Sequence, residues 1–257
     1  MNVSLNKKKF QIINKKNFLF FFIISCIFFL LILFYYNLTK IEYYTKKYIN
    51  IFSNKFDYQL TSLEVVGLKI VNVKEIENII KPYYNKSIFL LPLKEISNSL
   101  REKSWIKNVN IATNFKDIVY INVEEYNPIA IYLFNNNKYY INKKGKIIDL
   151  VRADIVLKNE FIIFTGNLSN IHAESLLKIL KLNSLFLIEN IIKANFVGER
   201  RWDLILDNRI ILKLSEENPS TSIQNYFNLR KNLNNNELIS IKEIDLRDFH
   251  KAIIKFK

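Results

Sequence analysis

Cysteine, glycine and histidine are scarce in this chain of 257 residues, and each scarcity excludes a kind of chemistry. The single cysteine, Cys26, cannot form an intramolecular disulfide, so any exported part must be stabilised by packed cores alone. The four glycines stand singly and cannot build a loop that cradles the phosphates of a nucleotide. His172 and His250 are far apart, so a metal site would need acidic side chains from unrelated loops. We therefore expect no cofactor, no metal ion and no small-molecule substrate.

The charged residues are unbalanced, with 38 Lys and Arg against 24 Asp and Glu and a formal net charge of +14. The lysines are spread evenly rather than clustered, so we expect no nucleic-acid binding. A basic exported surface suits anionic headgroups or acidic envelope polymers, through weak and salt-sensitive attraction. Paired catalytic carboxylates are also missing, because Glu124 and Glu125 are adjacent in a predicted strand and point to opposite faces. The chain is therefore not expected to be an enzyme.

One uninterrupted apolar run, Phe18–Tyr36, follows a leader whose only charged side chains are five lysines. Its nineteen residues span about 28 Å as a helix, close to the ~30 Å hydrocarbon core of a bilayer. Fewer lysines follow the run than precede it, so the positive-inside rule places the N-terminus in the cytoplasm. We therefore predict a basic leader over residues 1–17, a transmembrane helix over 18–36 and a membrane-proximal stalk over 37–59.

A cleaved secretory signal is the alternative interpretation of this run. Signal cores usually have ~7 to 15 apolar residues and precede a cleavage site of small residues. Here the run is longer and leads into Tyr35-Tyr36-Asn37-Leu38. A retained membrane anchor is favoured, with the rest of the chain outside the cytoplasm.

Residues 60–127 begin with a short strand and a capped helix. The strand, Leu63–Val66, is closed by Gly67. Asn72 with Glu75 three residues later has the spacing of a capping box at a helix N-terminus. A helix is therefore predicted directly after the strand.

Prolines and alternating apolar residues predict the remaining elements of this region. Pro82 should end the first helix, and Pro92 suits the first turn of a second one. Two strands follow, in which apolar residues alternate: Val109, Ile111, Val119, Ile121 and Val123. Trp105 is predicted to be a core residue. The order is β-α-α-β-β.

Residues 128–257 alternate short apolar strands with turns and contain two helix candidates. The chain is therefore predicted to be α+β, with a mixed β-sheet and flanking helices in this region. Trp202 is predicted to be a core residue, in a hairpin that turns at Asp207-Asn208-Arg209. The last ten residues have the pattern of a strand. The residues that fit the first helix are His172, Leu176, Leu177, Leu180 and Leu182. The second helix starts after Pro219 and Ser220, and the residues that fit it are Ile223, Tyr226, Phe227, Leu229 and Leu233.

The first exported region resembles a POTRA domain, which is a binding module. The resemblance rests on the β-α-α-β-β order, on Leu63-Glu64-Val65-Val66-Gly67, and on Trp105-Ile106-Lys107-Asn108-Val109 after the second helix. The order alone also occurs in proteins of outer-membrane assembly and two-partner secretion. The resemblance therefore implies a POTRA domain over 60–127, but it does not distinguish among the classes of protein that contain one.

The segments that follow resemble the FtsQ/DivIB family of bacterial cell-division proteins. In that family an acidic strand end leads through a Pro-Ile-Ala step into a hairpin with a glycine turn, as in Val123–Ala130 followed by Lys138–Ile148. Arg200–Asn208 and Asp245-Leu246-Arg247 resemble segments of the family's C-terminal β domain, in the same order. The resemblance covers nearly the whole chain and implies an FtsQ-type β domain over 128–257.

The resemblance implies a scaffold of the divisome in the bacterial inner membrane, concentrated at the septum with its bulk in the periplasm. The last strands would bind the division partner FtsB, itself coiled with FtsL, by β-augmentation, and the POTRA domain would help recruitment by the translocase FtsK. Glu125, Tyr126 and Pro128 would set the inter-domain joint. The partner-binding segment maps to Asp245, Leu246, Arg247, Asp248, Phe249, His250, Lys251 and Ala252, with the edge continuing along Ile253 and Ile254.

Two other functions remain as alternatives. One is a POTRA-bearing, membrane-anchored binding protein in envelope secretion or outer-membrane assembly, which the FtsQ-like junction disfavours. The other is a membrane-anchored envelope enzyme acting on cell-wall glycan, which would need two carboxylates converging in a cleft.

Overall fold

The computed structural model of the chain describes residues 15–153, 155, 157 and 161–257. Most of the predicted leader, residues 1–17, lies outside this part of the chain. The structure forms two compact units: one runs to Leu63 and includes Tyr83–Pro92 and Thr113–Val119, while the other holds the remaining residues.

The first unit is dominated by helix α1, Lys15–Lys55, which is 41 residues long. It contains the predicted span, and within the described residues it is the helix long and apolar enough to cross a membrane. The stalk shows no sustained period in sequence, yet α1 continues through it because no glycine or proline interrupts residues 15–55. Near its end, the hydroxyls of Ser53 and Ser87 are 2.6 Å apart.

The predicted β-α-α-β-β order is confirmed. Its strands form a sheet of order β1-β3-β2. Val119, Ile121 and Val123 are buried as predicted. The bounds are β1 Ser62–Val66, α2 Val73–Ile80, α3 Leu93–Arg101, β2 Ile106–Thr113 and β3 Ile118–Glu125, with 3-10 turns at Lys81–Tyr83 and Ile88–Leu90.

The start of α2 differs in one detail from the prediction. The Asn72 side chain caps the helix by accepting a hydrogen bond from the Lys74 amide at 3.0 Å. The predicted reciprocal bond of a capping box is replaced, since the Glu75 carboxylate accepts a hydrogen bond from Lys103 Nζ at 2.8 Å. The ion pair with Lys103 thus draws the Glu75 side chain away from the N-terminus of α2.

The C-terminal part forms a nine-stranded mixed sheet of order β12-β11-β10-β9-β8-β7-β4-β5-β6. The pairs β4–β7, β7–β8 and β10–β11 are parallel, and the other pairs are antiparallel. The strands are β4 Ala130–Phe134, β5 Asn137–Ile141, β6 Ile147–Leu150, β7 Ile163–Thr165, β8 Ile191–Val197, β9 Arg201–Leu206, β10 Ile211–Leu214, β11 Ile241–Leu246 and β12 Ile253–Phe256. The helices are α4 Ser169–Asn183, α5 Leu185–Asn190, α6 Pro219–Lys231 and α7 Asn235–Ser240.

Helices α4 and α6 bury apolar stripes against one face of this sheet. Of the residues predicted for α4, Leu176 and Leu180 are buried and Leu177 packs against the core, but His172 is exposed and Leu182 is 87% exposed. The buried face of α4 also includes Ser169 and Ala173, which precede Leu176 and Leu180 at helical spacing. In α6, Ile223 and Tyr226 are buried as predicted, but the helix already begins at Pro219 and Leu233 lies beyond its end.

Candidate partner-binding edge

Strand β12 is the last strand at one edge of the nine-stranded sheet. It pairs with β11 in antiparallel register, with Ile253 opposite Asp245 and Ile254 opposite Ile244. The Lys257 amide donates to the Ser240 carbonyl at 2.8 Å. Because main-chain groups alternate along an antiparallel strand, the N–H and C=O groups of Ile254 and Phe256 face the open side.

Successive side chains of β12 point to opposite faces of the sheet, so Ile254 and Phe256 share one face and Ile253 lies on the other. Ile254 packs against the core, while Ile253 is 51% exposed and Phe256 is 58% exposed. The edge thus combines free main-chain hydrogen-bonding groups with exposed apolar side chains, which is what an added strand requires.

A single buried carboxylate connects this edge to two inner strands. Glu243 Oε1 lies 2.8 Å from Lys213 Nζ on β10 and 3.1 Å from Lys255 Nζ on β12. The ion pair with Lys213 lowers the pKa of Glu243, and the one with Lys255 acts in the same direction, while burial opposes them. Glu243 therefore stays ionised and holds β12 in register against β11.

Asp245 and Arg247 form a two-pronged ion pair at the end of β11. Arg247 Nε donates to Asp245 Oδ1 at 2.8 Å, and Arg247 Nη2 donates to Oδ2 at 2.6 Å. These bonds lower the pKa of Asp245 and raise that of Arg247. On β9, by contrast, burial raises the pKa of Asp203. Arg201 Nε lies 3.4 Å from Asp203 Oδ1 and opposes this rise only in part.

Of the other predicted partner-binding residues, Leu246 is buried, Ile254 is half-buried and the rest lie in an exposed loop. The side chain of Leu246 is buried, and its carbonyl accepts from Ser222 Oγ at 2.9 Å. Ile254 packs against the core and is half-buried. The loop between β11 and β12 carries the exposed residues of the set: Asp248, Phe249, His250, Lys251 and Ala252. The Phe249 carbonyl accepts from Asn225 Nδ2 at 3.2 Å, which ties this loop to α6.

Glu125, predicted at the joint, receives main-chain hydrogen bonds from the loop after β1. Its carboxylate accepts from the amides of Lys69, Ile70 and Val71 at 2.9–3.2 Å. The loop can approach because Gly67 has φ +90°, and a Cβ there would lie 2.0 Å from the Val123 carbonyl oxygen. One charged side chain thus satisfies three amide donors that precede α2.

Trp105 joins the two sheets, a role that its sequence context did not indicate. Its ring is buried in one cluster with Tyr140 and Ile148 of the nine-stranded sheet. Trp105 Nε1 donates to Asp149 Oδ2 at 3.0 Å. The Trp105 carbonyl accepts from the amide of Tyr126, another predicted joint residue, at 2.8 Å. The indole therefore packs both within its own β-α-α-β-β region, beside Ile70 and Val71, and against the nine-stranded sheet. Pro128 lies in the segment that links β3 to β4.

Replacing Glu125 by alanine is expected to destabilise the protein. The change leaves the amides of Ile70 and Val71 without their acceptor. An unsatisfied donor costs about 1–3 kcal/mol when buried, and these partly buried amides should cost less than that maximum. Chemical denaturation of the full chain in detergent, followed by tryptophan fluorescence, measures the loss. The matched control is Glu124→Ala, which removes only an exposed pair with Lys107 worth about 0–1 kcal/mol. Equal losses in the two variants would contradict the assigned role.

Known proteins match both regions of this architecture. The family described as "POTRA domain, FtsQ-type" matches residues 59–126, and the family described as "Cell division protein FtsQ/DivIB, C-terminal" matches residues 130–247. Cell division protein FtsQ of Rickettsia typhi is 32% identical over 205 residues, covering 79% of this chain and 74% of the relative. FtsQ of Rickettsia felis is 29% identical over 255 residues, covering 99% and 93%.

A solved structure is also similar, the major extracytoplasmic domain of DivIB from Geobacillus stearothermophilus. It covers 43% of this chain and 99% of its own, at 9% identity and a TM-score of 0.31, which is too low to support a conclusion about fold. The relationship instead follows from sequence, since both FtsQ-type regions are matched in order and a relative at 32% identity aligns over most of its length. The chain therefore belongs to the FtsQ/DivIB family of bacterial cell-division proteins.

Proposed function

We propose that the chain is a non-catalytic scaffold of the divisome that binds an FtsB-like partner through strand β12. The observation that carries this proposal is the open edge, where the main-chain groups of Ile254 and Phe256 are directed away from β11. A partner segment that adds a strand there gains a ladder of main-chain hydrogen bonds. The exposed side chains of Ile253 and Phe256 give that strand apolar contacts.

The charged groups beside the edge set its rigidity. Because Glu243 pairs with Lys255 of β12 and Lys213 of β10, the strand is held in an extended conformation before a partner arrives. Preorganisation of this kind lowers the entropy cost of binding. The Asp245–Arg247 pair and the loop Asp248–Ala252 lie at the end of the same strand pair and are proposed to contact the same partner.

The proposal includes a location and further partners. The apolar part of α1 would anchor the chain in the inner membrane with its N-terminus in the cytoplasm, and the positive-inside rule supports that orientation. The remaining domains would lie in the periplasm at the septum. An FtsL-like protein would be bound together with the FtsB-like one, and an FtsK-like translocase would be contacted through the POTRA domain.

In-cell photo-cross-linking tests the proposal. A photoreactive residue at Ile253 or Phe256, both exposed on β12, is expected to capture a small coiled-coil protein that mass spectrometry identifies as FtsB-like. A photoreactive residue at Leu182 is the matched control, because it is exposed and apolar but lies on α4. Capture of secretion or outer-membrane assembly components, or equal capture from both elements, would overturn the assignment.

A further inference from the structure

Helix α1 joins the membrane-spanning run to the first compact unit without a break. It runs from Lys15 to Lys55, so residues 37–55 continue the helix beyond the predicted span. At 1.5 Å per residue, this segment carries the chain about 28 Å past the end of the span. Neither glycine nor proline occurs between residues 15 and 55, so the residues that most often bend a helix are missing from it.

The segment beyond the span is helical for a physical reason. A helix of this length alone in water is only marginally stable, because its first turn is costly to form. Here that turn already exists, since the membrane span must keep its main-chain hydrogen bonds within the helix. An ion pair one turn apart adds to this, with Lys46 Nζ 2.6 Å from Glu42 Oε1. The helix therefore propagates from the span to Lys55.

Buried hydroxyl groups fix the far end of α1 to its unit. Ser53 is fully buried and Ser87 is 1% exposed, and their hydroxyls are hydrogen-bonded at 2.6 Å. Ser87 belongs to the segment Tyr83–Pro92 of the same compact unit. If the helix separated from this segment, each hydroxyl would lose its partner. The last turn of α1 is therefore part of a packed structure.

Aromatic rings and main-chain bonds hold the same end in place. The ring of Phe52 stacks on that of Tyr58 with centroids 5.7 Å apart, and Tyr58 contacts the ring of Phe89 at 5.4 Å. The Tyr58 amide donates to the Ser53 carbonyl at 2.9 Å, and the Tyr58 carbonyl accepts from the Ile88 amide at 3.0 Å. The chain that leaves α1 is thus folded back onto its last turn, so the helix end cannot swivel freely.

We propose that residues 37–55 of α1 are a rigid strut, which fixes both the height and the rotation of the first compact unit relative to the bilayer. A helical linker has a set length, whereas a flexible linker allows many distances between its ends. Each residue of a helix also turns the chain by about 100°, so a rotation of the membrane span is passed on to the unit. The proposal rests on the membrane anchoring that is part of the proposed function, but not on the β12 edge.

Energy transfer from the unit to the bilayer measures the height of the strut. The full chain carries Cys26→Ser, which removes the only natural cysteine, and Lys116→Cys, which takes a donor dye. Lys116 is exposed in the segment Thr113–Val119 of the same compact unit, so the dye reports on that unit. The chain is reconstituted into liposomes whose headgroups carry acceptor dyes. A second copy of residues 40–46, inserted after Lys46, adds about two helical turns and should lengthen the mean distance by about 10 Å.

Two controls separate a rigid strut from a longer tether. Seven Gly and Ser residues inserted at the same place should broaden the distribution of distances, which time-resolved transfer records. Lys47→Pro breaks the helix in the exposed stalk and should broaden the distribution in the same way, while Lys47→Ala should leave it narrow.

Several results would overturn the strut. One is an unchanged mean distance after the helical insertion, and another is a parent distribution as broad as that of Lys47→Pro. A chain that did not float with the liposomes would overturn the anchoring and the strut together. Cross-linking from Ile253 reports on β12 independently, so failure of the strut and failure of the partner-binding edge are distinguishable.

Discussion

Replacing Trp202 by alanine is expected to lower the free energy of unfolding by about 3–5 kcal/mol, the range for deleting a buried aromatic side chain. Trp202 is buried on β9. Its ring lies 5.4 Å from that of Phe164 in an edge-to-face arrangement and 4.5 Å from that of Phe196. The substitution removes both contacts and leaves a cavity between three strands. A loss of this size is a large part of the ~5–15 kcal/mol that stabilises a typical domain.

The measurement is denaturant unfolding of the full chain in detergent. Trp105 then remains as the only tryptophan and reports unfolding by its fluorescence. Trp202→Phe is the control, because a smaller ring retains much of the contact with Phe164 and should lose much less stability. If the alanine variant unfolded at the wild-type denaturant concentration, the aromatic cluster would not be the centre of this core.

Replacing Phe256 by proline is expected to reduce partner capture from position 253 at least about tenfold. Proline lacks an N–H, and the Phe256 N–H is directed to the open side of β12, so the donor lost is one that an added strand would use. Each 1.4 kcal/mol of lost binding free energy is a tenfold change in affinity. The loss of one main-chain hydrogen bond, together with the fixed backbone angle of proline, costs about that much. Proline is tolerated on an edge strand when its nitrogen faces away from the ladder, so the fold should survive.

Phe256→Ala separates the main-chain effect from the loss of the ring. Alanine keeps the N–H and removes only the apolar contacts of the ring, so it should retain more of the capture than proline. Unfolding curves of both variants should match the parent chain. Capture that is equally reduced in the two variants would assign binding to the side chain and contradict strand addition.

Local patterns predicted many of the elements. Strand β3 and the hairpin of β9 and β10 follow from strict alternation, because a half-buried strand repeats every two residues whatever it packs against. Short elements without a clear period were missed, such as α5 and α7, each of six residues. The tight turn at Asn135 and Asn136, where both residues have positive φ, joins β4 to β5 and was also not predicted.

Helix faces were predicted less well than strand faces. In α4, Leu176 and Leu180 are buried as predicted, but His172 and Leu182 of the same predicted set are exposed, because several faces of that sequence are partly apolar. The sheet beneath the helix selects Ala173, Leu176 and Leu180, since small and medium side chains fit that contact. In α1, the helix continues through the predicted stalk to Lys55, although that segment has no sustained apolar period in the sequence.

Within the candidate site, strand was predicted over the last ten residues, but only Ile253–Phe256 form it and Asp248–Ala252 are a loop, because exposed polar residues there face no neighbouring strand. The Asp245–Arg247 pair was predictable, while the groups that hold these elements were not. A pair two residues apart on one strand shares a face by geometry alone. Glu243 gave no signal, because its partners Lys213 and Lys255 come from two other strands. In the same way, Glu125 was predicted from a resemblance, but the amides that it binds lie more than fifty residues earlier in the chain.

The sequence by itself determined the membrane-spanning run, the β-α-α-β-β order and the open C-terminal strand, since each depends on residues that are neighbours in the chain. Only the tertiary structure decided the strand order of the large sheet, the parallel pairing of β10 with β11 and the position of Trp105 between the two sheets. These features depend on burial and charge pairing between segments that are far apart in the chain. No local repeat in the sequence reports such contacts.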